Sequence, residues 1–176
     1  MAVKVAKFGG SSLCSAECFQ KVKEIILADK ARKYIVPSAP GKRFPGDEKI
    51  TDLLYLCYAQ HSGGLSFDET YEAIAERYIG IETGLRLDTH IADELTAIRK
   101  NILGGASEDY IASRGEYLNG LLLAAYLGFG FLDAAELVCF HSDGTYDDET
   151  TQKWTQRLTD TEHVVVPGFY GRKRDG

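Results

Sequence analysis

Lys7, Gly9, Gly10, Ser11 and Ser12 fall together near the start of the chain, in the run KFGGSS. A lysine supplies positive charge, two glycines let backbone N–H groups come close to a bound group, and two serines add hydroxyl donors. This set suits an anion, above all a phosphate. It is neither the GxxxxGK pattern of Walker loops nor GxGxxG. Three further groups have chemical potential: Ser38 and Ala39 in PSAPG, Thr51 with Asp52 behind a polar loop, and Arg114 with Gly115 and Glu116. Each also has an ordinary use. A lysine on a strand edge can simply reach solvent. Thr51 can be a plain helix cap, and Glu116 can be a first-turn glutamate favoured by the helix dipole. Asp52 is expected to be structural.

The elements around these residues alternate. VKVAKF is a short apolar run bounded by a glycine turn, which predicts a buried strand. Gly9 and Gly10 are expected at positive φ, with Ser11 and Ser12 capping a helix that runs to about Lys30. KYIVPSA predicts a second strand, PGKRFPGDEK a loop, and Thr51 the cap of the next helix. Ser66 and Glu69 have capping-box spacing before a further helix. Asp88 is expected to cap the one after it, with Gly104 and Gly105 ending it. Ser107 opens another segment, and the apolar YLNGLLLAAYL stops at Gly128. GFGFLDAAELVCF predicts a strand and a short turn, residues 150–158 a helix, and EHVVVPGFYG a last apolar strand. This order predicts an α/β class with a mostly parallel sheet, whose loops at the C-terminal ends of the strands bind ligand. If the strands are parallel, all four chemical groups converge at that edge.

The bulk numbers agree. The 176 residues suffice for one core, and 44% hydrophobic with 26% charged is ordinary for a soluble domain. A net charge of −6 argues against a general nucleic-acid partner. No apolar run reaches membrane-spanning length and no signal-peptide pattern opens the chain, so a cytoplasmic location is expected. Cys14, Cys18, Cys57 and Cys139 are expected to be reduced, mostly buried thiols, since neither they nor the four scattered histidines have zinc spacing. The acidic stretch HSDGTYDDET misses the calcium-loop spacing and is expected to be a solvated turn.

Taken in order, KFGGSS, SAPG followed by TDLL, SRGEYLNGLLLAAYL and PGFYG resemble the aspartate kinases of the amino-acid kinase superfamily, over essentially the whole chain. The resemblance implies the amino-acid kinase (carbamate kinase-like) fold, with a mostly parallel sheet and flanking helices. It implies transfer of the ATP γ-phosphoryl group to the side-chain carboxylate of L-aspartate, giving 4-phospho-L-aspartate, the entry to lysine, threonine and methionine biosynthesis. Lys7 matches the family lysine that stabilises the transferring phosphoryl group; Gly9, Gly10, Ser11 and Ser12 match the phosphate-binding turn. Glu116 matches the glutamate that recognises the substrate α-amino group, and Thr51 the threonine that contacts aspartate. Ser38 and Ala39 flank the same pocket. Arg114, uncharged in many members, either binds a substrate carboxylate or makes an ion pair, and the ion pair is the expected use. ATP with Mg²⁺ enters as a substrate complex, with no tightly bound cofactor and no protein metal site, and a homo-oligomer is expected for the full-length enzyme.

The family's Gly-Arg-Gly-Gly-Ser-Asp stretch after PGF-x-G does not occur in the sequence. Residues 1–176 are therefore expected to be the N-terminal, substrate-binding lobe, without the nucleotide lobe and ACT domains and inactive alone. Another amino-acid kinase substrate, or a non-enzymatic amino-acid-binding lobe, are the alternatives.

Overall fold

The computed structural model describes residues 3–156, 158 and 163–174. Strand β1 (Lys4–Phe8) leads through a 3-10 turn (Gly10–Leu13) and helix α1 (Ala16–Leu27) to β2 (Arg32–Pro37). Four helices follow: α2 (Ile50–Ser62), α3 (Asp68–Leu85), α4 (Ile91–Leu103) and α5 (Glu108–Leu127). Then come β3 (Gly130–Phe131), β4 (Cys139–Phe140), α6 (Asp148–Thr155), β5 (Val164–Val165) and β6 (Arg172–Lys173). The main sheet has the order β1-β2-β5-β3, and β4 pairs with β6 in a small second sheet. All these strand pairs are parallel, as the alternation of strands and helices predicts.

Parallel register places Lys7 opposite Val36 and Phe8 opposite Pro37. Both strands therefore end side by side, and the loops after them leave from the same edge. β1 differs from the buried strand read in the sequence. It is an edge strand, with Ala6 and Phe8 against the core and Val5 66% exposed on the other face. A short apolar run does not reveal whether its outer face is covered. Among the described residues the last strand is also shorter than its apolar run, pairing through Val164 and Val165, with Val166 N–H still donating to Ile35 C=O at 2.9 Å before the chain turns into a loop.

Helix starts are set by tertiary partners as much as by local caps. Ser15, not Ser11 or Ser12, caps α1, its side chain accepting from Cys18 N–H; the two earlier serines lie in the 3-10 turn. Thr51 is inside α2, whose cap position is Lys49, because Ile50 N–H is already bound by Pro40 C=O. The Ser66–Glu69 box does not form, and Ser66 Oγ instead accepts from Asp68 N–H. Asp88 does not cap α4. Glu82 of α3 does so from a distance, its Oε1 accepting from the N–H of Thr89 and of Ile91 while His90 takes the left-handed cap position. Ser107 caps α5, which runs unbroken to Gly128, where φ of 72° ends it. The 150–158 helix ends in α6 at Thr155; Arg157 and residues 159–162 lie outside the described residues.

The core joins Phe19, Val22 and Ile26 of α1 to Ile74 and Tyr78 of α3 and Leu118 and Leu122 of α5. α5 runs through its middle, buried on nearly every side from Ile111 to Ala124. Tyr78, fully buried, donates its hydroxyl to Gly115 C=O at 2.7 Å. This bond ties α3 to α5 one residue before Glu116. Among the described residues no helix is long and apolar enough to cross a membrane.

Candidate functional site

Two loops leave the adjacent ends of β1 and β2 and touch backbone to backbone. Gly41 N–H donates to Gly10 C=O at 2.9 Å. A Cβ on Gly10 would lie 2.7 Å from Ala39 O, and one on Gly41 would lie 2.8 Å from the Gly10 carbonyl carbon. These glycines are needed for close approach, and neither has the positive φ expected of Gly9 and Gly10. The second loop is held from below by Arg77 of α3, a nearly buried guanidinium. It donates to Gly41 C=O at 2.9 Å and to Asp47 Oδ2 at 2.7 Å. Asp47 also takes two bonds from the Arg43 guanidinium, at 2.8 Å each. These Arg43 bonds, with Arg77 close by, hold the Asp47 carboxyl well below the usual carboxylate range.

α5 brings the third component. Gly115 packs against the second loop, where a Cβ would meet Ala39 Cβ at 2.9 Å, and Gly120 admits the Phe131 ring and Pro167. The lack of side chains at these two positions lets α5 lie close to the loop after β2 and the loop after β5, and Glu116 is delivered between them. Glu116 is 9% exposed, and its carboxylate accepts from Gly168 N–H at 3.0 Å. Burial raises its pKa, while the N–H groups of Gly168 and Phe169, the Lys7 charge and the Ser38 hydroxyl hold it down. Asn119, one turn on, donates to Ser38 C=O at 2.7 Å.

The resulting cavity has a volume of about 540 Å³ and contains Gly10, Ser11, Ser38, Ala39, Thr51 and Glu116 in its wall. Pro40, Gly41, Lys42, Lys49 and Phe169 complete it. Of the residues singled out in the sequence, Lys7, Gly9, Ser12, Asp52, Arg114 and Gly115 are outside this lining, although the Lys7 charge reaches Glu116. Lys42 and Lys49 are gains from the structure; their only sequence signal is the polar loop after β2. One acidic carboxylate at the floor, two lysines at the rim and glycine backbone on one wall suit a small zwitterion or an anion.

Arg114 does not make the expected ion pair with any described residue. Its guanidinium sits among three tyrosine rings, 4.7 Å from Tyr110, 4.5 Å from Tyr117 and 5.2 Å from Tyr170, and donates to Ser113 Oγ at 3.0 Å. Tyr170 belongs to the same loop as Gly168, so this stack fastens that loop to α5. The acidic stretch after β4 is the expected turn only at its start, where Asp143 Oδ1 accepts from Thr145 N–H; Asp147 is 2% exposed, caps α6 and pairs with Arg174 at 2.8 Å, and Asp148 and Glu149 open that helix. No group of three or more candidate metal ligands occurs among the described residues.

Residues 2–176 match the amino acid kinase family. The chain is 35% identical over 190 residues to Aspartokinase 3 of Bacillus subtilis (strain 168), covering 99% of this chain and 42% of that protein. Its structure superposes on the crystal structure of Clostridium acetobutylicum aspartate kinase with a TM-score of 0.96 and 48% identity, over 100% of this chain and 41% of that one. The fold is shared with E. coli aspartokinase III, solved in complex with aspartate and ADP, at a TM-score of 0.79 and 22% identity over 99% of this chain and 42% of that one. The chain thus spans about two fifths of the length of these relatives.

Proposed function

The chain belongs to the amino acid kinase family, and we propose that it is the substrate-binding lobe of an aspartate kinase, which transfers the ATP γ-phosphoryl group to the β-carboxylate of L-aspartate. The observation that carries this reading is the buried Glu116 carboxylate, fixed by Gly168 N–H in the wall of a cavity that Lys42 and Lys49 also line. A buried carboxylate with a fixed orientation matches an α-ammonium group. Thr51 and Ser38 supply hydroxyls beside it. Lys7 and the turn of Gly9, Gly10, Ser11 and Ser12 lie at the adjacent strand end, where positive charge and backbone N–H groups can face a phosphate.

In this reading one carboxylate oxygen of aspartate attacks the γ-phosphorus, the new O–P bond forms, and the bond to the β-phosphate oxygen breaks. ADP leaves with the electron pair. The attacking group is already ionised, so no general base is required. The protein's share is alignment and charge neutralisation. Glu116 anchors the far end of the substrate, and Lys7 meets charge on the transferring group. ATP with Mg²⁺ enters as the second substrate; the lysines of this lobe suit its phosphates, while the metal would travel with the nucleotide. Oligomer formation belongs to the complete enzyme.

The test is ADP release with ATP, Mg²⁺ and L-aspartate, measured on this chain and on the protein expressed through its full reading frame. Turnover in the longer protein only, falling on the order of 100- to 1000-fold with Lys7→Met, is the expected result. Turnover with a different carboxylate or a carbamate, and none with aspartate, would assign the lobe to another substrate of the family. Absence of turnover with all of these would overturn the kinase reading.

A further inference from the structure

Behind the glycine turn, two sulfurs lie close together that the proposed phosphoryl transfer does not use. Cys14 ends the 3-10 turn and Cys18 lies in the first turn of α1, with their Sγ atoms 3.5 Å apart. Both sulfurs also approach Ser11 C=O, at 3.4 and 3.8 Å. We propose that Cys14 and Cys18 are an oxidisable pair that a hydroperoxide converts to a disulfide across the start of α1.

The two thiols differ in a way that assigns their order. Cys18 is part exposed, while Cys14 is 6% exposed. Burial opposes ionisation of Cys18, but its hydrogen bonds with Ser15 and Cys14 outweigh this and lower its pKa. Burial, with the Cys18 contact, raises that of Cys14. A thiolate at the open end of a helix N-terminus, next to a buried neutral thiol, is the arrangement of an attacking and a resolving cysteine. Cys57 and Cys139 have no such setting. Both are buried, and burial pushes the Cys57 thiol up to about 12.

The step balances. The Cys18 thiolate sulfur attacks one peroxide oxygen, the O–O bond breaks, and the departing oxygen takes a proton and leaves as water or alcohol. The sulfenic acid on Cys18 is then attacked by Cys14 sulfur; the S–S bond forms, the S–O bond breaks, and the hydroxyl leaves as water with the Cys14 proton. Two thiols lose two electrons to one hydroperoxide. The sulfurs must close from 3.5 Å to about 2.05 Å, and the loss of both S–H groups ends their contacts with Ser11 C=O, which lies in the turn that walls the cavity.

The experiment is peroxide treatment of the folded chain, alkylation of remaining thiols under denaturing conditions, and mass spectrometry of the tryptic peptide from Phe8 to Lys21, which holds both cysteines. The expected product is that peptide lighter by two hydrogens and unalkylated at either sulfur. Before oxidation, iodoacetamide is expected to label Cys18 at least about tenfold faster than Cys14. In Cys14→Ser, Cys18 is expected to stop at the sulfenic acid and be captured by dimedone. Both cysteines still alkylated after peroxide, two oxygens added to Cys18 without linkage, or a disulfide to Cys57, to Cys139 or between chains would each overturn the proposal.

Discussion

Glu116 and Gly168 are 52 residues apart in the chain and joined by a 3.0 Å hydrogen bond from backbone N–H to carboxylate. This bond connects the middle of the central helix to the loop after β5. It fixes Glu116 Oε2, and the carboxylate is further held by the Phe169 N–H and the Ser38 hydroxyl at the cavity wall.

Replacement of Glu116 by Gln separates binding from stability. The amide oxygen can still accept from Gly168, but the charge is gone. Loss of a charge-assisted hydrogen bond of about 1.5–3 kcal/mol corresponds to roughly 10- to 150-fold weaker aspartate binding, measured by calorimetry. The pKa of Glu116 is raised in the folded state by burial. The ionised form therefore burdens the fold, and the stability contributed by the protonated carboxyl, present at low pH, is lost as pH rises through the folded pKa. Glu116→Gln is expected to raise the melting temperature relative to wild type at pH 8 and to lose that advantage at pH 4. Aspartate affinity in wild type is expected to fall on acidification as Glu116 takes up its proton.

Arg77 is the second point of attack. Arg77→Met leaves Gly41 C=O unpaired and removes one partner of the Asp47 carboxylate. A cost of about 2–4 kcal/mol is expected, below the usual range for breaking a buried pair because Arg43 remains. Denaturant midpoints check it.

The Asp47 carboxyl gives that same anchor a pH signature. Its folded pKa is depressed, first by the Arg43 side chain. Its stabilisation is thus present above the unfolded value of about 3.9 and is lost as pH falls through the folded one. Acid melting curves of Asp47→Asn are expected to lose that part of the drop below pH 4.

Gly10→Ala tests the contact between the loops. The new Cβ would lie 2.7 Å from Ala39 O and 3.0 Å from Gly41 N, backbone atoms on both sides. With no side chain able to swing away, about 1–3 kcal/mol of destabilisation is expected. Aspartate binding should weaken as well. Gly64→Ala, with open space around it but φ of 72°, is the comparison: it should affect stability and leave binding unchanged.

Arg114→Lys keeps the charge and loses the flat guanidinium. Three ring contacts at 4.5–5.2 Å suggest a loss of about 1–2 kcal/mol. Hydrogen exchange at Gly168 and Tyr170 amides should speed up, since the stack holds their loop to α5.

The sequence is most readable where chemistry and local geometry coincide. KFGGSS and PSAPG follow strands that a parallel sheet must bring to one edge, Thr51 stands in the first turn of α2 and Glu116 in the middle of α5 rather than in a first turn, and the cavity holds Gly10, Ser11, Ser38, Ala39, Thr51 and Glu116 together. Partners chosen by the tertiary fold are not readable. Arg77 looks like any charged residue of an amphipathic helix until the loop above it is seen. Gly168 contributes a backbone N–H, which has no residue-type signal. The caps show the same boundary: Ser107 acts three residues down its own chain, but α4 is capped by Glu82 from the helix before it. Arg114 escapes the sequence because a guanidinium can satisfy itself on aromatic faces as well as on carboxylates.

The placement of β5 between β2 and β3 has a consequence for biosynthesis. The strand that joins the two sides of the main sheet is made after both of its neighbours. On the ribosome, β1, β2 and the helices emerge with Glu116 already in the core helix but without the N–H that holds it. With 52 residues from Glu116 to Gly168, translation at about 5–20 residues per second separates them by roughly 3–10 s. Throughout that interval the nascent chain carries an unfilled slot in its sheet and a carboxylate awaiting its donor, so the stretch between the two residues is where a chaperone or a translational pause would have the most effect.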